Sequence, residues 1–352
     1  MKKEVLATFI LVLFVILISV SLALINSQIS RENTNNIILI NNTIKFDSLT
    51  LKQKLAQMII VYGESQDNLE LTKLNIGGLI LDDEKNKQDY QDLISKYQDN
   101  SKIKLFVTTD MEGAWNPFSS FENFPKFSDI KTNQDAYNTG LEEGKLLKEI
   151  GFNLNFAPVA EFSDEVYGGR AFLGTKEDVE EKLSNYIRGL QENTQGTCKH
   201  YPGKGMINNL HNEIDRQTIT SDDLELFQLC VKDNISSIMI GHQIVSGEIN
   251  SNGKPSSVSP EVMNTLQNFS GLIISDEINM HGLSNFYPSL TDRYERLINS
   301  GENVILDFNV NSYYYFNLLN SLEKSVKEGK ISEEKINESV KKILTAKGYS
   351  IN

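Results

Sequence analysis

Short apolar runs alternate with longer amphipathic stretches along most of this chain, and this alternation constrains the fold more than any other feature of the sequence. Strands that are buried on both faces of a parallel sheet show continuous apolar runs of this kind. We count eight runs, at Met58 to Val61, Gly78 to Leu81, Lys104 to Thr108, Leu154 to Val159, Thr197 to His200, Ser237 to Ile240, Leu272 to Ser275 and Asn303 to Leu306. Eight is the strand number of a closed (β/α)8 barrel.

The stretches between the runs have the spacing and the length of helices. Asn133 to Ile150 and Asp178 to Asn193 are two examples, and Thr50 with Gln53 forms a plausible capping box before the first run. We therefore predict an α/β protein with a (β/α)8 TIM-type barrel as a single domain over residues 47–352. An open doubly wound sheet is the alternative, which the number of runs alone leaves open.

Charge and cysteine content restrict the classes of partner. The chain has 34 Lys and Arg residues against 47 Asp and Glu residues, a formal charge of -13, which would repel a phosphate backbone. We expect no nucleic-acid partner.

Cys198 and Cys230 are too few for a disulfide framework or for a metal site built from several cysteines. One disulfide and two buried thiols both remain open, and a buried thiol is the state we expect for Cys198.

The N-terminus carries a membrane-insertion signal. Lys2 and Lys3 precede an apolar run of 21 residues from Val5 to Ile25, about the length that spans a bilayer. We predict that residues 1–28 form an uncleaved signal anchor that leaves the rest of the chain outside the cell membrane. Cleavage as a signal peptide, followed by secretion, is the alternative. Residues 29–46 are rich in Asn and Ser and are expected to form a tether.

Polar residues cluster where the apolar runs end. In a (β/α)8 barrel the carboxyl ends of the strands form the active face, so polar residues there indicate a site. Three of the four histidines of the chain fall on or just after the fifth and sixth runs. The run ends carry Asp110, Glu112, Lys199, His200, His242, Asp276 and Glu277.

Two of these run ends suggest carbohydrate chemistry. Lys199 and His200 would direct hydrogen-bond donors into a pocket suited to neutral, hydroxyl-rich ligands. Asp276 stands where an apolar strand leaves the barrel, which is the position expected for a nucleophilic carboxylate. His200, His242 and Asp276 match no metal-ligand spacing, and we expect no metal and no cofactor.

The motifs at these positions resemble those of glycoside hydrolase family 3, and within it the single-domain β-N-acetylhexosaminidases. Lys-His-Tyr-Pro-Gly at 199–203 is similar to the Lys-His-Phe-Pro-Gly signature of the family, and Ser-Asp-Glu-Ile-Asn-Met at 275–280 is similar to its nucleophile segment. Residues 155–159 and 255–260 match as well. The likeness runs in the correct order from about residue 48 to residue 340.

The resemblance implies a retaining glycosidase acting on terminal β-linked N-acetylhexosamine, as in peptidoglycan-like fragments. It assigns Asp276 as nucleophile and His211 as acid/base, and an imidazole suits that role because its usual pKa of roughly 6.5 lets it give and take a proton near neutrality. The implied sugar-binding residues are Asp110, Arg170, Lys199 and His200, and the implied supporting residues are Asn209, His242 and Met280. We expect a carbohydrate substrate and a monomer.

Three departures from the family pattern weigh against full activity. Asn209 stands where the family has an Asp that orients the catalytic histidine, and the loop is one residue shorter. Phe118 replaces an arginine of the family, which would remove one polar contact to the sugar. Trp115, the only tryptophan, either offers a stacking face for a sugar or packs on its loop.

Two classes of function therefore follow from the sequence. The first is an exported, membrane-anchored glycosidase with slow turnover. The second is a weakened family member that binds cell-surface glycans without cleaving them. A β-glucosidase-like specificity in the same fold is a further alternative.

Overall fold

The predicted barrel is present. A computed structural model describes residues 8, 10–16, 37–63, 69–82, 84–164, 168–203 and 214–352. Its strands are β1 (Leu39–Ile40), β2 (Thr43–Ile44), β3 (Ile59–Tyr62), β4 (Gly78–Ile80), β5 (Phe106–Thr109), β6 (Leu154–Asn155), β7 (Gln195–Tyr201), β8 (Arg216–Ile219), β9 (Ser237–Ile240), β10 (Ile244–Gly247), β11 (Leu272–Glu277), β12 (Val304–Asp307) and β13 (Ser350–Ile351).

Eight of these strands close into one parallel barrel. Their order around the barrel is β3-β4-β5-β6-β7-β9-β11-β12, and β12 pairs with β3 to complete the ring. Each barrel strand coincides with one of the eight predicted apolar runs, so the (β/α)8 class is confirmed over the open-sheet alternative. Strands β8 and β10 pair with each other outside the barrel.

The helices follow the strands, and side-chain caps fix where several of them begin. They are α1 (Leu51–Gln57), α2 (Glu70–Lys73), α3 (Lys87–Asp99), α4 (Asn133–Ile150), α5 (Lys176–Leu190), α6 (Ser221–Lys232), α7 (Pro260–Met263), α8 (His281–Ser284), α9 (Leu290–Ser300), α10 (Ser312–Lys327) and α11 (Glu333–Ala346). The capping box of Thr50 and Gln53 is confirmed. Helix α4 has its predicted bounds, whereas α5 begins two residues earlier than predicted because Thr175 forms a capping box with Asp178.

Helices α4 and α5 pack unusually closely because glycines line their contact. A Cβ atom on Gly140 would lie 2.3 Å from the carbonyl oxygen of Tyr186, and one on Gly189 would lie 2.2 Å from the carbonyl oxygen of Tyr137. Neither distance is possible for a real side chain, so the two backbones can approach only where no Cβ intervenes. The pair lies between β5 and β7 in the chain and brackets the loop that carries Arg170.

Gly140→Ala is expected to lower the free energy of unfolding by about 2 kcal/mol, measured by chemical denaturation. The overpacking at the helix contact should outweigh the roughly 1 kcal/mol that alanine gains over glycine within a helix. Gln134→Ala, on the exposed face of the same helix, is the matched control and should stay within about 0.5 kcal/mol of the wild type. A Gly140→Ala protein as stable as the wild type would contradict the close contact.

The folded part of the chain begins before residue 47. Strands β1 and β2 form a hairpin, and β2 pairs in parallel with β13 near the C-terminus. The last residues of the predicted 29–46 tether therefore belong to a three-stranded sheet, because Thr43 and Ile44 find backbone partners in β13 and the Ile44 side chain is fully buried. Residues 29–36 lie outside the described residues.

The two cysteines are joined. Cys198 of β7 and Cys230 of α6 form a disulfide, and both side chains are fully buried. The Cys198 side chain points into the layer between barrel and helices, and the expectation of a free thiol is wrong. Cys230 lies on the buried face of α6, where it meets Cys198, and the sequence pattern of one helix could not show that register.

Most of the apolar run at the N-terminus lies outside the described residues. Residues 10–16 are helical and exposed. Within the part of the chain that the structure covers, no helix combines the length and the apolar character needed to cross a membrane. The membrane anchor is thus a prediction from the sequence.

Candidate active site

The polar residues at the run ends meet at one end of the barrel. Lys199 of β7 contacts Asp110, which follows β5, and His200 of β7 lies beside Asp276 of β11. Each contact joins two barrel strands that have one other strand between them. The structure therefore brings together the residues that the sequence analysis predicted as sugar-binding residues and as nucleophile.

Lys199 is the centre of a buried ion cluster. Its Nζ lies 2.5 Å from Oδ1 of Asp110 and 2.7 Å from Oε1 of Glu112. The other carboxylate oxygen of Glu112 accepts from both Nε and Nη2 of Arg170, each at 2.6 Å. Lys199 and Glu112 are almost completely buried, whereas the side chains of Asp110 and Arg170 keep about a quarter of their surface accessible. The two partly exposed groups can reach a ligand.

Burial and pairing act in opposite directions on the pKa values of this cluster. Burial favours the neutral form of Glu112, but Lys199 and Arg170 together outweigh it and hold the pKa of Glu112 at about 2. For Asp110 burial prevails over the pull of Lys199, and the pKa rises to about 6. Burial lowers the pKa of Lys199, yet Asp110 and Glu112 more than offset it, so the net shift is upward. Lys199 is therefore a cation at neutral pH.

Neighbouring loops hold the cluster in place. The side chain of Asn155 on β6 accepts from the backbone N–H of Met111 at 2.9 Å and donates to its carbonyl at 3.1 Å, which fixes the segment between Asp110 and Glu112. Oδ1 of Asp164 accepts from the backbone N–H of Arg170 at 3.0 Å. Glu112 was not among the predicted site residues, although its place two residues after Asp110 was a signal that could have found it.

Glu112→Gln is expected to lower the free energy of unfolding at pH 7 by about 3 kcal/mol, because it leaves Arg170 without its anion and Lys199 with one anion fewer. The lowered pKa of Glu112 gives stability that is present above pH 4.5 and lost as the pH falls towards 2. The difference between the wild type and the variant should therefore shrink below pH 4.5 in denaturant titrations.

Glu122→Gln is the matched control for this experiment. Glu122 is an exposed residue of the same loop, and its substitution replaces the same carboxylate by the same amide. Its effect should stay within about 0.5 kcal/mol at every pH. A constant difference between wild type and Glu112→Gln from pH 7 to pH 3 would contradict the assigned pairing.

Asp276 presents one free oxygen to the site. Its Oδ1 accepts from the backbone N–H of Glu277 at 2.8 Å, while Oδ2 has no hydrogen-bond partner among the described residues and lies 3.8 Å from Nε2 of His200. Burial lowers the pKa of His200 to about 4 in spite of the neighbouring Asp276 carboxylate. His200 is thus neutral at pH 7 and forms no ion pair with Oδ2 of Asp276.

His242 and Met280 support the strand end that carries Asp276. His242 is fully buried, with Nδ1 2.7 Å from the hydroxyl of Ser257 and Nε2 3.2 Å from the carbonyl oxygen of Glu277. Because a carbonyl only accepts, Nε2 carries the proton. Met280 is buried, and its backbone N–H donates to the same carbonyl at 3.2 Å. Their contacts place both residues against the strand end that carries Asp276, and their supporting role stays a prediction.

A second network at the same end was missed by the sequence analysis. Oδ2 of Asp307 accepts from the hydroxyls of Tyr294 at 3.0 Å and Tyr314 at 2.9 Å, and the amide of Asn279 bridges Asp307 and Glu277. Burial is the main cause that raises the pKa of Glu277 to about 7. The network joins the end of β12 to the loop after Asp276. The signal in the sequence that could have indicated this network is Asp307, the acidic residue that follows the eighth apolar run.

The remaining predicted residues have different outcomes. His211 and Asn209 lie outside the described residues, so their roles stay predictions. Phe118 is fully buried in an aromatic cluster with Tyr90 and Phe152, away from the ion cluster. Trp115 is 55% exposed on the turn that follows Glu112.

No ion site emerges from the described residues, among which no three His, Cys, Asp or Glu side chains are grouped so as to hold a metal.

Carboxylates at the carboxyl ends of barrel strands are the groups that glycoside hydrolases use, and the barrel places Asp276 and the ion cluster at this end. The family model described as "Glycosyl hydrolase family 3 N terminal domain" matches residues 50–346. The chain belongs to this family and is a glycoside hydrolase.

Individual relatives agree with the family. A beta-hexosaminidase of Haemophilus influenzae is 27% identical over 256 residues, which cover 66% of this chain and 72% of the relative. The beta-hexosaminidase LpqI of Mycobacterium tuberculosis is 22% identical over 330 residues, 85% of this chain and 83% of the relative.

Solved structures show the same fold. The structure of M. tuberculosis LpqI superposes with a TM-score of 0.77 at 21% identity, covering 86% of this chain and 95% of that one. A family 3 β-N-acetylglucosaminidase from Paenibacillus superposes with a TM-score of 0.75 at 24% identity, covering 85% of this chain and 62% of that one.

Proposed function

We propose that this glycoside hydrolase removes terminal β-linked N-acetylhexosamine from glycans or peptidoglycan-like fragments through a glycosyl-enzyme intermediate. The observation that carries the proposal is Oδ2 of Asp276, which has no hydrogen-bond partner among the described residues and lies beside neutral His200, whose neighbour Lys199 binds Asp110. The beta-hexosaminidases among its relatives support the choice of amino sugar.

In this mechanism the cluster binds and Asp276 reacts. Asp110 and Arg170 present a carboxylate and a guanidinium that can hydrogen-bond sugar hydroxyls, while Lys199 holds Asp110 in place. Oδ2 of Asp276 attacks the anomeric carbon, and the bond to the leaving oxygen breaks as that oxygen takes a proton from an acid, for which His211 is the candidate. Water then attacks the same carbon, gives its proton to the acid/base and releases Asp276.

Asp276→Asn should reduce turnover of an aryl β-N-acetylglucosaminide by at least 10³-fold, because an amide is a poor nucleophile and cannot form the ester. The assay uses the full chain in mild detergent and compares the aryl β-N-acetylglucosaminide with the matching aryl β-glucoside. Asp292→Asn on α9 makes the same chemical change on a partly exposed side chain and should leave the rate unchanged.

The outcomes separate the candidate functions. Wild-type turnover of the amino sugar that Asp276→Asn abolishes supports the proposal, and faster turnover of the glucoside would replace it with β-glucosidase activity. Binding of amino sugars without turnover of either substrate would mean a glycan-binding protein. An unchanged rate in Asp276→Asn would exclude Asp276 as nucleophile.

We also propose that residues 1–28 anchor the domain on the outer side of the cell membrane. The apolar run after Lys2 and Lys3 supports this topology, and the buried disulfide of Cys198 and Cys230 suits an oxidising compartment. The full chain should stay in the membrane pellet after a high-pH carbonate wash, and a chain that starts at residue 29 should not. Release of the full chain as a shortened species would indicate cleavage and secretion instead.

A further inference from the structure

Three consecutive aliphatic side chains are exposed on the hairpin of β1 and β2. The exposed fractions are 39% for Ile38, 39% for Leu39 and 65% for Ile40. We call these three residues the apolar edge. A contiguous exposed apolar patch indicates an interaction surface, whereas single exposed apolar residues need no explanation. Apart from helical residues 10–16, the other exposed large apolar side chains of the described chain stand singly, at Trp115, Leu173, Ile214, Val231 and Tyr313.

The apolar edge forms the border of its sheet. β1 pairs with β2, whose other neighbour is β13, so the second side of β1 has no strand partner among the described residues. Asn41 and Asn42 have φ angles of 47° and 62°, as in a two-residue hairpin turn, and Nδ2 of Asn42 donates to the carbonyl oxygen of Gly348 at 2.6 Å. Proteins usually protect such a border strand with charged residues. A border of three aliphatic residues therefore indicates that something covers it.

A lysine lies on the same face of the hairpin as two of these side chains. Ile40 pairs with Thr43. The backbone N–H of Lys45 donates to the carbonyl oxygen of Ile38 at 3.0 Å. Because residues opposite each other and residues two apart share a face of a sheet, Ile38, Ile40 and the exposed Lys45 share the face opposite to buried Ile44. Aliphatic groups beside a cation fit a lipid bilayer with anionic headgroups.

The length of the chain limits how far the hairpin can lie from the proposed membrane anchor. The apolar run ends at Ile25, and only residues 26–36 connect it to Ile37 at the start of the hairpin. Even when fully extended, a connection of this length spans about 40 Å. A domain of this size has a diameter of about 50 Å. If residues 1–28 are the anchor, the hairpin therefore cannot lie on the side of the domain that is turned away from the bilayer.

Contacts beside β13 place the hairpin at the amino end of the barrel. Nζ of Lys347 donates to Oε1 of Gln57, which precedes β3, at 2.8 Å. The hydroxyl of Tyr349 accepts from the backbone N–H of Lys104, which precedes β5, at 2.9 Å. The candidate active site lies at the carboxyl ends of the strands. The hairpin and the active site are therefore at opposite ends of the barrel.

We propose that the apolar edge and Lys45 form a bilayer-contact surface. This surface rests the amino end of the barrel on the membrane, so that the active site opens away from the lipid. A domain held only by its connection to the anchor could turn in any direction, and the second contact fixes its orientation. The inference rests on the membrane anchor proposed above and is independent of the reaction that the site catalyses.

The first measurement places a nitrobenzoxadiazole probe at the apolar edge of the full chain, reconstituted in vesicles of phosphatidylcholine and phosphatidylglycerol. Ile40→Cys supplies the thiol, since Cys198 and Cys230 are joined in the buried disulfide. Lipids with a nitroxide on the acyl chain should lower the fluorescence at least about twofold, because interfacial groups enter the acyl boundary by about 5–10 Å. Ser119→Cys, exposed in the loop that follows β5 at the active-site end, is the matched control and should not be quenched.

The second measurement tests whether the surface sets the orientation of the domain. A donor on Ser119→Cys transfers energy to acceptor lipids, and the transfer should rise when Ile38→Thr and Ile40→Thr are combined, because the domain can then turn towards the bilayer. Threonine keeps the branched shape that suits a strand but loses apolar surface. Val231→Thr makes the same kind of change at an isolated exposed residue of α6 and should leave the transfer unchanged.

The outcomes distinguish the bilayer-contact surface from the anchor. Quenching at Ile40→Cys together with higher transfer in the threonine variant supports the surface. In a chain that stays with the vesicles, an unquenched probe or unchanged transfer would overturn the surface and leave the anchor intact. A dimer whose probe is shielded from lipid and from water-soluble quenchers would also overturn it, because the border strands of two copies would then pair. A full chain that leaves the vesicles would overturn both proposals.

Discussion

The ion pairs of Lys199 connect the parts of the active site more than any other interaction. One buried ammonium group joins Asp110 and Glu112 at the end of β5, and Glu112 in turn holds Arg170 from the loop before α5. Removing one partner of a buried ion pair leaves an uncompensated charge, so the three elements are tied together through Lys199. His200, the next residue on β7, is thereby placed against Asp276.

The same arrangement separates binding from reaction. The carboxylate of Glu112 is fully enclosed by its two cations and serves the structure, whereas Asp110 and Arg170 keep accessible surface for a ligand. Asp276 has one oxygen held by the backbone and one that no described residue binds. The three carboxylates of the site therefore differ in environment: Glu112 is buried and paired, Asp110 is paired and partly exposed, and Asp276 keeps one oxygen outside any hydrogen bond of the described residues.

Much of the fold and half of the site could be predicted from the sequence. Continuous apolar runs fixed the barrel strands to within a few residues, since strands buried on both faces have no other pattern. The site residues at the run ends were found because barrel geometry gathers strand ends. Partners across the structure could not be found: the disulfide of Cys198 with Cys230, the enclosure of Glu112 and the bonds of Asp307 all depend on register between distant elements. The sequence showed that Phe118 stands where the family has an arginine. The structure adds that the Phe118 ring packs in an aromatic cluster.

The account depends most on the role of Asp276, and trapping the intermediate tests it most directly. A 5-fluoro analogue of N-acetylglucosaminyl fluoride forms the glycosyl-enzyme faster than water can release it, and mass spectrometry of the intact chain and of its peptides then locates the sugar. The account predicts a mass increase of one fluorinated sugar, carried by an ester on Asp276. An adduct on another residue, or hydrolysis of the analogue with no adduct at any time, would contradict it.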